Sequence, residues 1–431
     1  MTTRVNRRTF LAGTGAVGAG LAFGACGSDD DAGQQPQDSA AGSAEPASGD
    51  LTVWNFASQM NDVIENDFAQ AHPDIDLDYV NLPVPDLHER LLVSLATETD
   101  LPDATTISSR QVGEYVKSGR LLDLTSAMQP FVDGLDPAAF VSDGERIVGV
   151  NLAGGHMGLW VNHDALVAAG IDPDTFTTWD AVVDAGLKLK QDAGDQQYLF
   201  LLPDGSNGFN SFNAYYHSRG GNWWNAEAEL VEDQQIAVDT LSWLVTQVRD
   251  NEIVYRGMWT DPTFWEAVNN ESMLGFGMNF AVGANNIPDN APDQSGQWRL
   301  VTWPRWSEGA EQLTGQFGGV VFTGIQGQNE AAAREFVTWW LTDEGLQLVS
   351  DIVGTSPSTR IAELGLLDTE YPYFGGQQLG RDMSSVPFPP FHYHHWARTE
   401  EVLINAMDRA LLGEWTPEQA IDNALDELRS V

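Results

Sequence analysis

From Leu51 onward, short apolar runs alternate with stretches in which apolar residues recur every three or four positions. The segments "LTVWNF", "DIDLDYV" and "DATTI" are typical of strands, whereas "MNDVIENDFAQAHP" and "LHERLLVSLATE" are typical of amphipathic helices. Strands that alternate with helices form βαβ units, and these units require a mostly parallel sheet with helices packed on it. The sequence therefore predicts an α/β fold.

Later helices have recognisable ends. The segment "TTWDAVVDAGLKLK" has Thr178 as its capping residue, and "TPEQAIDNALDEL" has Thr416 and Gln419 at the two positions of a capping box. Between them, "DQQIAVDTLSWLVTQVRDN" predicts a long amphipathic helix. Its predicted inward face consists of Ile236, Leu241, Leu244 and Val248.

The first 25 residues have the layout of an export signal. Arg4, Arg7 and Arg8 precede an uncharged stretch from Thr9 to Ala25, which is too short and too rich in glycine to span a membrane comfortably. The segment "RRTFL" resembles a twin-arginine signal, which exports folded cargo.

The single cysteine, Cys26, has no partner for an internal disulfide. The residues "FGAC" resemble a lipobox, although Phe23 occupies the position where leucine is usual. We therefore expect residues 1–25 to be a twin-arginine-type lipoprotein signal peptide and Cys26 to be lipidated. The polar stretch that follows has no large apolar residue, so 26–50 is predicted to be a disordered tether.

The charge balance of the chain excludes one class of partner. Without Arg4, Arg7 and Arg8 the chain has 18 basic residues against 62 acidic ones, a net charge of −44. Nucleic acid is not an expected partner, because phosphate contacts need basic patches. The carboxylates are spread along the whole chain, and their mutual repulsion destabilises a compact state in dilute salt. The composition therefore predicts adaptation to a salty habitat.

The motifs H-E-x-x-H of metalloproteases, G-x-S-x-G of hydrolases, G-x-x-x-x-G-K-[ST] of P-loop proteins and C-x-x-C of redox proteins do not occur in the sequence. Carboxylate pairs for glycoside hydrolysis are a spatial feature that a sequence with 62 acids does not exclude. The segment "FHYHHW" brings together His392, His394 and His395. Packing, hydrogen bonding to a ligand and metal binding are all open for these histidines. No cofactor is expected.

Tryptophan is abundant, and several of the 15 tryptophans lie in polar stretches that contain glycine, asparagine or proline. Trp243 and Trp339 lie in apolar helices and are expected in the core. A tryptophan in a loop can instead offer its flat face to the C–H face of a sugar while its N–H bonds a hydroxyl.

The order of these motifs resembles the extracellular solute-binding proteins of ABC importers, in the family-1, maltose-binding-protein-like group. The resemblance runs from Leu51 to the C-terminus and rests on six segments in the same order. They are "FAQAHPDIDLDYV", "LPDATTISSRQVGEYVKSGRLLDLT", "MGLWVNHDALVAAGIDPDTFTTWDAVVDAGLKL", "FGGVVFTGI", "EAAAREFVTWWLTDEGLQLV" and "LLGEWTPEQAIDNAL". The segment "VNLAGGHMG" departs from the family pattern because it lacks a proline.

The resemblance implies a type II periplasmic-binding-protein-like fold: two α/β lobes, each a mostly parallel sheet flanked by helices, with the ligand cleft at the hinge. Chain crossings are expected near 154, 302 and 357. Lobe 1 then comprises 51–154 with 303–357, and lobe 2 comprises 155–302 with 358–431.

Candidate ligand-binding residues follow from two arguments. Ligands of open α/β sheets bind beyond the carboxyl ends of strands, and this rule selects Ser58, Gln59, Ser109 and Arg110. By position in the family pattern, the resemblance adds His156, Asn210, Phe212, Asn279, Phe280, Gly318, Gly319 and Trp396. The histidine-rich segment contributes His394, and the segment "GGNWWN" contributes Trp223 and Trp224. Trp396 is the predicted stacking platform for a sugar.

The resemblance implies a monomeric, membrane-tethered receptor that captures a sugar by hinge closure and delivers it to an ABC permease. Two alternatives stay open: the same fold binding a polyamine or another cationic or polar solute, and a lipid-anchored secreted glycosidase. The acidity of the chain disfavours anionic solutes, unless a local arginine overrides it.

Overall fold

The computed structural model describes residues 47–153, 155–193, 197–225, 227–315, 318–327, 329–354, 356–389, 392 and 394–431. The predicted signal peptide, Cys26 and the predicted tether as far as residue 46 lie outside these residues. The tether prediction extends too far, because the first strand already begins at Gly49. Residues 47–431 form one compact unit.

Eleven strands are present in the described part of the chain. They are β1 (Gly49–Asn55), β2 (Ile75–Asn81), β3 (Ala104–Ser108), β4 (Phe140–Asp143), β5 (Arg146–Ala153), β6 (Met157–Asn162), β7 (Phe200–Leu201), β8 (Val254–Tyr255), β9 (Gly275–Asn279), β10 (Trp298–Thr302) and β11 (Val320–Gly324).

Helices connect and cover these strands. They are α1 (Ala69–Ala71), α2 (Val84–Thr97), α3 (Val112–Lys117), α4 (Thr125–Met128), α5 (His163–Ala168), α6 (Trp179–Ala193), α7 (Gly205–Ser218), α8 (Gln235–Val245), α9 (Pro262–Asn269), α10 (Phe280–Asn290), α11 (Glu330–Trp339), α12 (Asp343–Val353), α13 (Arg360–Glu363), α14 (Leu379–Ser384), α15 (Trp396–Leu412) and α16 (Pro417–Leu428). Turns of π-helix at Val63–Phe68 and Thr246–Asp250 adjoin α1 and α8. Among the helices described, none has the length and apolar character needed to cross a bilayer.

The six-stranded sheet has the order β2-β1-β3-β11-β5-β4 and forms the centre of lobe 1. β1 pairs in parallel with β2 and β3, whereas β11 runs antiparallel to both β3 and β5. The parallel pairs are joined through helices, as βαβ units require. β11 instead enters the sheet after a long excursion through the other lobe, so its direction is not set by a crossover helix.

The second lobe contains a three-stranded sheet, β10-β6-β9, in which both pairings are antiparallel, and the small parallel pair β7-β8. The α/β prediction is confirmed, but the expectation of a mostly parallel sheet in each lobe is wrong, because the six-stranded sheet is mixed and the three-stranded sheet is antiparallel. The strands of the three-stranded sheet come from distant parts of the chain, so local strand–helix alternation does not fix their direction. The chain passes from the six-stranded sheet to the three-stranded sheet between β5 and β6, and returns between β10 and β11.

The core of lobe 2 is rich in aromatic side chains. The ring of Trp179 lies 4.8 Å from Trp303 and 5.0 Å from Tyr215, in edge-to-face contact with both. Trp243 lies 5.8 Å away and also meets it edge-on. Such pairs add about 0.5–1.5 kcal/mol each beyond the burial of their area. Several tryptophans that the sequence places in polar stretches therefore stabilise this core.

Most of the helix predictions hold in detail. Thr416 and Gln419 form the predicted capping box at the start of α16. Thr178 accepts a hydrogen bond from Ala181 N at 3.3 Å. The predicted inward face of α8 is wrong at one position: Ile236 is 38% exposed, because the buried face of the helix consists of Ala237, Thr240, Leu241 and Leu244.

Candidate functional site

A cavity of about 450 Å³ lies between the two lobes. Its lobe 1 wall includes Ser109, which follows β3, together with Asn151 on β5 and Val321 on β11. These residues meet because the carboxyl ends of β3 and β5 lie at the edge of the sheet where β11 begins. The opposite wall includes Phe388 and Pro389. The cavity therefore lies where the strand-end rule for open α/β sheets predicts a ligand.

The wall formed by lobe 1 contains a polar atom that lacks a partner. The side-chain oxygen of Asn151 is buried and accepts no hydrogen bond from any described residue. A buried acceptor without a donor costs about 1–3 kcal/mol. A ligand hydroxyl would satisfy this oxygen, so Asn151 is a candidate contact that the sequence argument did not select.

Ser109 is held in place by the loop that precedes β11. Its Oγ accepts a hydrogen bond from Gly319 N at 2.8 Å, and its own N–H donates to Gly319 O at 3.0 Å. The neighbouring Gly318 has φ of +85°, and a Cβ at that position would lie 3.2 Å from Nε of Arg110. Ser109 therefore lines the cavity, and Gly318 and Gly319 support its position.

The histidine-rich segment forms part of the lobe 2 wall. His392, His394 and His395 all line the cavity, and the rings of His392 and His394 stack with their centroids 6.0 Å apart. Burial lowers the pKa of His395, and the nearby Lys117 and His394 lower it further. Within the described residues, no group of three histidine, cysteine or acidic side chains is arranged to hold a metal ion. Ligand hydrogen bonding and packing are the roles that this geometry favours.

His156 lies where the chain crosses from lobe 1 to lobe 2. Its ring packs at 3.8 Å from the ring of Phe388, which lines the cavity, and its Nδ1 is buried without a partner among the described residues. Burial lowers the pKa of His156 to about 3. Its carbonyl oxygen accepts a hydrogen bond from Phe280 N at 3.2 Å, which links the crossing to the start of α10. His156 therefore supports the cavity wall through its contact with Phe388 and is not itself part of the lining.

A smaller cavity of about 200 Å³ adjoins the first and shares Gly113, Lys117 and His395 with it. Arg110 and Trp396 also line this smaller cavity. Trp396 is only 5% exposed, and its ring lies 5.2 Å from that of Phe209 in the core of lobe 2. The two cavities together thus contact four predicted residues: Ser109, Arg110, His394 and Trp396.

Other predicted residues lie in the core or at element ends. Asn210 and Phe212 are buried in α7. Trp223 donates to Asn213 Oδ1 at 2.8 Å, and Trp224 donates to Thr399 Oγ1 at 2.9 Å. These two indoles are buried and serve the packing of lobe 2.

The remaining predicted residues lie outside the lining of either cavity. Asn279 caps α10 by accepting from Val282 N at 3.0 Å, and the ring of Phe280 is buried beside Trp160. Ser58 and Gln59 follow β1 and are exposed. For all four residues of this group, a role in ligand binding stays a prediction.

Most residues that line the larger cavity were absent from the set predicted by sequence, among them Asn151, Lys117 and Phe388. Asn151 is the one amide in the apolar segment "IVGVNLA". A lone polar residue in an apolar strand is a signal from which the sequence could have predicted it. Lys117 is one of only three lysines in the chain. No comparable signal marks Phe388.

Two α/β lobes with a cavity between them define the class of proteins that trap a small solute between domains. The chain belongs to the bacterial extracellular solute-binding protein family, whose sequence profile matches residues 54–347. Membership of an extracellular family indicates that the protein is exported.

Curated and structural relatives agree with this assignment. The chain is similar to the arabinooligosaccharide-binding protein of Bacillus subtilis (strain 168), with 23% identity over 423 residues, 90% of this chain and 94% of the relative. Its fold is similar to that of an ABC transporter associated binding protein from B. animalis subsp. lactis Bl-04, solved with beta-1,6-galactobiose. That match has a TM-score of 0.72 at 16% identity and covers 88% of this chain and 96% of the other.

A third relative is a receptor of Streptomyces glaucescens GLA.O solved with acarbose, with a TM-score of 0.72 at 18% identity. The match covers 89% of this chain and 98% of that one. These likenesses confirm the two-lobed type II fold that the sequence predicts.

Proposed function

We propose that this protein is the solute-binding receptor of an ABC importer and captures an extracellular saccharide in the cavity between its lobes. The observation that carries the proposal is the cavity itself, which has walls from both lobes, apolar surfaces and a few convergent polar groups. This combination is typical of small-molecule sites. The relatives named above are described as binding arabinooligosaccharides, galactobiose and acarbose.

Hinge closure is the proposed mechanism of capture. A solute in the cavity contacts Asn151 and Ser109 on one lobe and His392 and Phe388 on the other. It therefore binds the closed state more tightly than the open state and shifts the population toward closure. The importer's permease would then distinguish the closed receptor from the open one. The division into lobes at 51–154 with 303–357, and at 155–302 with 358–431, stays a prediction.

Binding without covalent chemistry is the second part of the proposal, because the relatives found are binding proteins. The polyamine alternative is disfavoured by the charged groups of the cavity. Lys117 and three histidines line it, against one carboxylate, Asp136. A polycation gains little from such a wall.

Calorimetric titration with a panel of saccharides tests the proposal. The panel consists of arabinooligosaccharides, maltooligosaccharides, galactobiose and a polyamine, spermidine. The Asn151→Ala variant should bind the best saccharide about tenfold more weakly, because one buried hydrogen bond is lost. The Asn290→Ala variant removes an exposed asparagine from α10 and serves as the matched control. Binding of spermidine in the absence of any saccharide binding would refute the proposal.

The setting of the receptor is also a proposal. The segment "RRTFL" supports export in the folded state, and "FGAC" supports lipidation at Cys26, which would tether the protein to the outer face of the cytoplasmic membrane. The excess of acidic residues supports adaptation to high salt. A monomer is proposed, as one receptor suffices to enclose the cavity.

A further inference from the structure

Arg110 and Lys117 line the smaller cavity and, unlike most other cations of this acidic protein, form no salt bridge with a described residue. Most of the described arginines and lysines contact a carboxylate within 4.0 Å, for example Arg360 with Asp343 and Arg429 with Glu232. Neither Arg110 nor Lys117 forms an ion pair with any described residue. Seven of the 18 described arginines and lysines form no such contact with a described residue, and two of these seven lie beside one cavity.

One carboxylate lines the smaller cavity together with the two cations. Glu114 lies on the same helix as Lys117, and its Oε2 is 3.4 Å from His88, whose pKa is lowered by burial. Asp136 lines only the larger cavity and is exposed. In the smaller cavity Arg110 and Lys117 therefore outnumber the single unpaired carboxylate of Glu114.

Arg110 is positioned by its surroundings. Its Nε lies 3.4 Å from Ser108 Oγ, and its side chain packs over the backbone of Gly318. A guanidinium presents a planar set of donors that suits a carboxylate. Lys117 is exposed and belongs to the linings of both cavities, so it can reach a ligand that extends from one into the other.

The opposite side of the smaller cavity is the start of α15, a helix of 17 residues. No acidic residue lies in its first turn, and none of the described side chains caps it. Arg398 in that turn is already paired with Glu401 and Glu427, at 2.8 Å and 3.0 Å. The positive end of the helix dipole therefore adds to the field of Arg110 and Lys117.

We infer that the smaller cavity binds a carboxylate, and that the solute is an acidic saccharide carrying a uronic acid unit, with its neutral part in the larger cavity. The inference rests on the proposed saccharide-binding function and narrows its substrate class. The overall negative charge of the protein disfavours anions at long range. At the site, the two unpaired cations act over a few ångströms and dominate the interaction.

Paired ligands of equal shape test the inference directly. Digalacturonate and aldobiouronic acid are each titrated into the full protein beside their carboxyl-reduced, neutral counterparts, at a salt concentration where the protein is folded. We expect the acidic member of at least one pair to bind about tenfold or more tightly than its neutral counterpart, since charged hydrogen bonds are among the strongest. This comparison uses the unmodified protein, so it does not depend on the folding of any variant.

Variants assign the effect to its residues. Lys117→Gln and Arg110→Gln should each weaken acidic-saccharide binding about tenfold and weaken neutral-saccharide binding by a clearly smaller factor. Lys117→Arg retains the charge and should preserve most of the affinity. Lys188→Gln removes a lysine that pairs with Asp192 on α6 and should have no effect.

The outcomes separate this inference from the proposed function. Equal or tighter binding of the neutral members overturns the inference and leaves the saccharide receptor intact. Binding of no saccharide, acidic or neutral, refutes both. Equal losses of affinity for acidic and neutral ligands in Lys117→Gln and Arg110→Gln would give the two cations a structural role and also overturn the inference.

Discussion

Replacement of Trp396 by alanine tests whether this tryptophan stacks on a sugar or stabilises the fold. The sequence predicts a stacking platform, and the structure shows an indole that is 5% exposed. About 5% of an aromatic surface of roughly 250 Å² leaves on the order of 12 Å² for a ligand. At about 25 cal/mol per Å², that contact contributes roughly 0.3 kcal/mol, which is less than twofold in Kd.

The loss of stability should be much larger than the loss of affinity. The indole packs against Phe209 within the main core of lobe 2, and a buried tryptophan replaced by alanine typically costs about 3–5 kcal/mol. For a unit of the size of one lobe, each kcal/mol corresponds to about 2–4 °C in Tm. We therefore expect Trp396→Ala to lower the ligand-free Tm by roughly 10 °C.

Differential scanning calorimetry and sugar titration are measured on the same preparations. Trp415→Ala is the matched control, because this partly buried indole lies under the guanidinium of Arg409 at 4.5 Å and contributes less to the core. A tenfold weaker Kd with a Tm change below about 3 °C would refute the burial argument. That result would mean that Trp396 turns toward the solute in the bound state and is the stacking platform after all.

Three further predictions concern anchoring, salt and pH. Cys26→Ser should release the protein into the medium or leave its precursor unprocessed, and fractionation with membranes as for the parent would contradict lipidation. The Tm should rise between 0.1 and 3 M chloride, because molar salt shortens the screening length to about 3 Å, and a flat or falling Tm would exclude salt adaptation. Unfolded His156 binds a proton below about pH 6.5, whereas in the folded protein its pKa is about 3, so stability is lost as pH falls through this window. Denaturant titrations between pH 6 and pH 4 measure how the free energy of unfolding depends on pH. Per pH unit, His156→Gln should lose about 1.4 kcal/mol less of this free energy than the parent. Equal slopes for the two proteins would be evidence against a buried neutral imidazole.

Local sequence patterns predicted much of the architecture. The capping box at Thr416 and Gln419, the first strands and the main helices follow from contacts within a few residues of the chain. The direction of β11 was missed, because a strand that enters a sheet from another lobe pairs by long-range packing. Ile236 was also misplaced, since the buried face of its helix is centred on Ala237, Leu241 and Leu244 and Ile236 lies to one side of that face.

The candidate site was predicted in part. Ser109 follows a strand end and lines the cavity, as the rule for open sheets requires. Trp223 and Trp224 have the same polar, glycine-containing surroundings as a binding loop, yet their N–H groups are satisfied inside lobe 2. The surroundings of a tryptophan along the chain do not reveal which partners folding brings to its ring.

The sequence by itself determined the α/β class, the helix ends, the acidic surface and the resemblance to a solute-binding family, because each depends on composition or on short spacings. Only the tertiary structure decided which polar groups line the cavity. Lys117 and Phe388 lie more than two hundred residues apart in the chain, with Asn151 between them. The three residues meet only when both lobes form. The charge of the smaller cavity is likewise a tertiary property, because an ion pair exists only where folding places a carboxylate beside a cation.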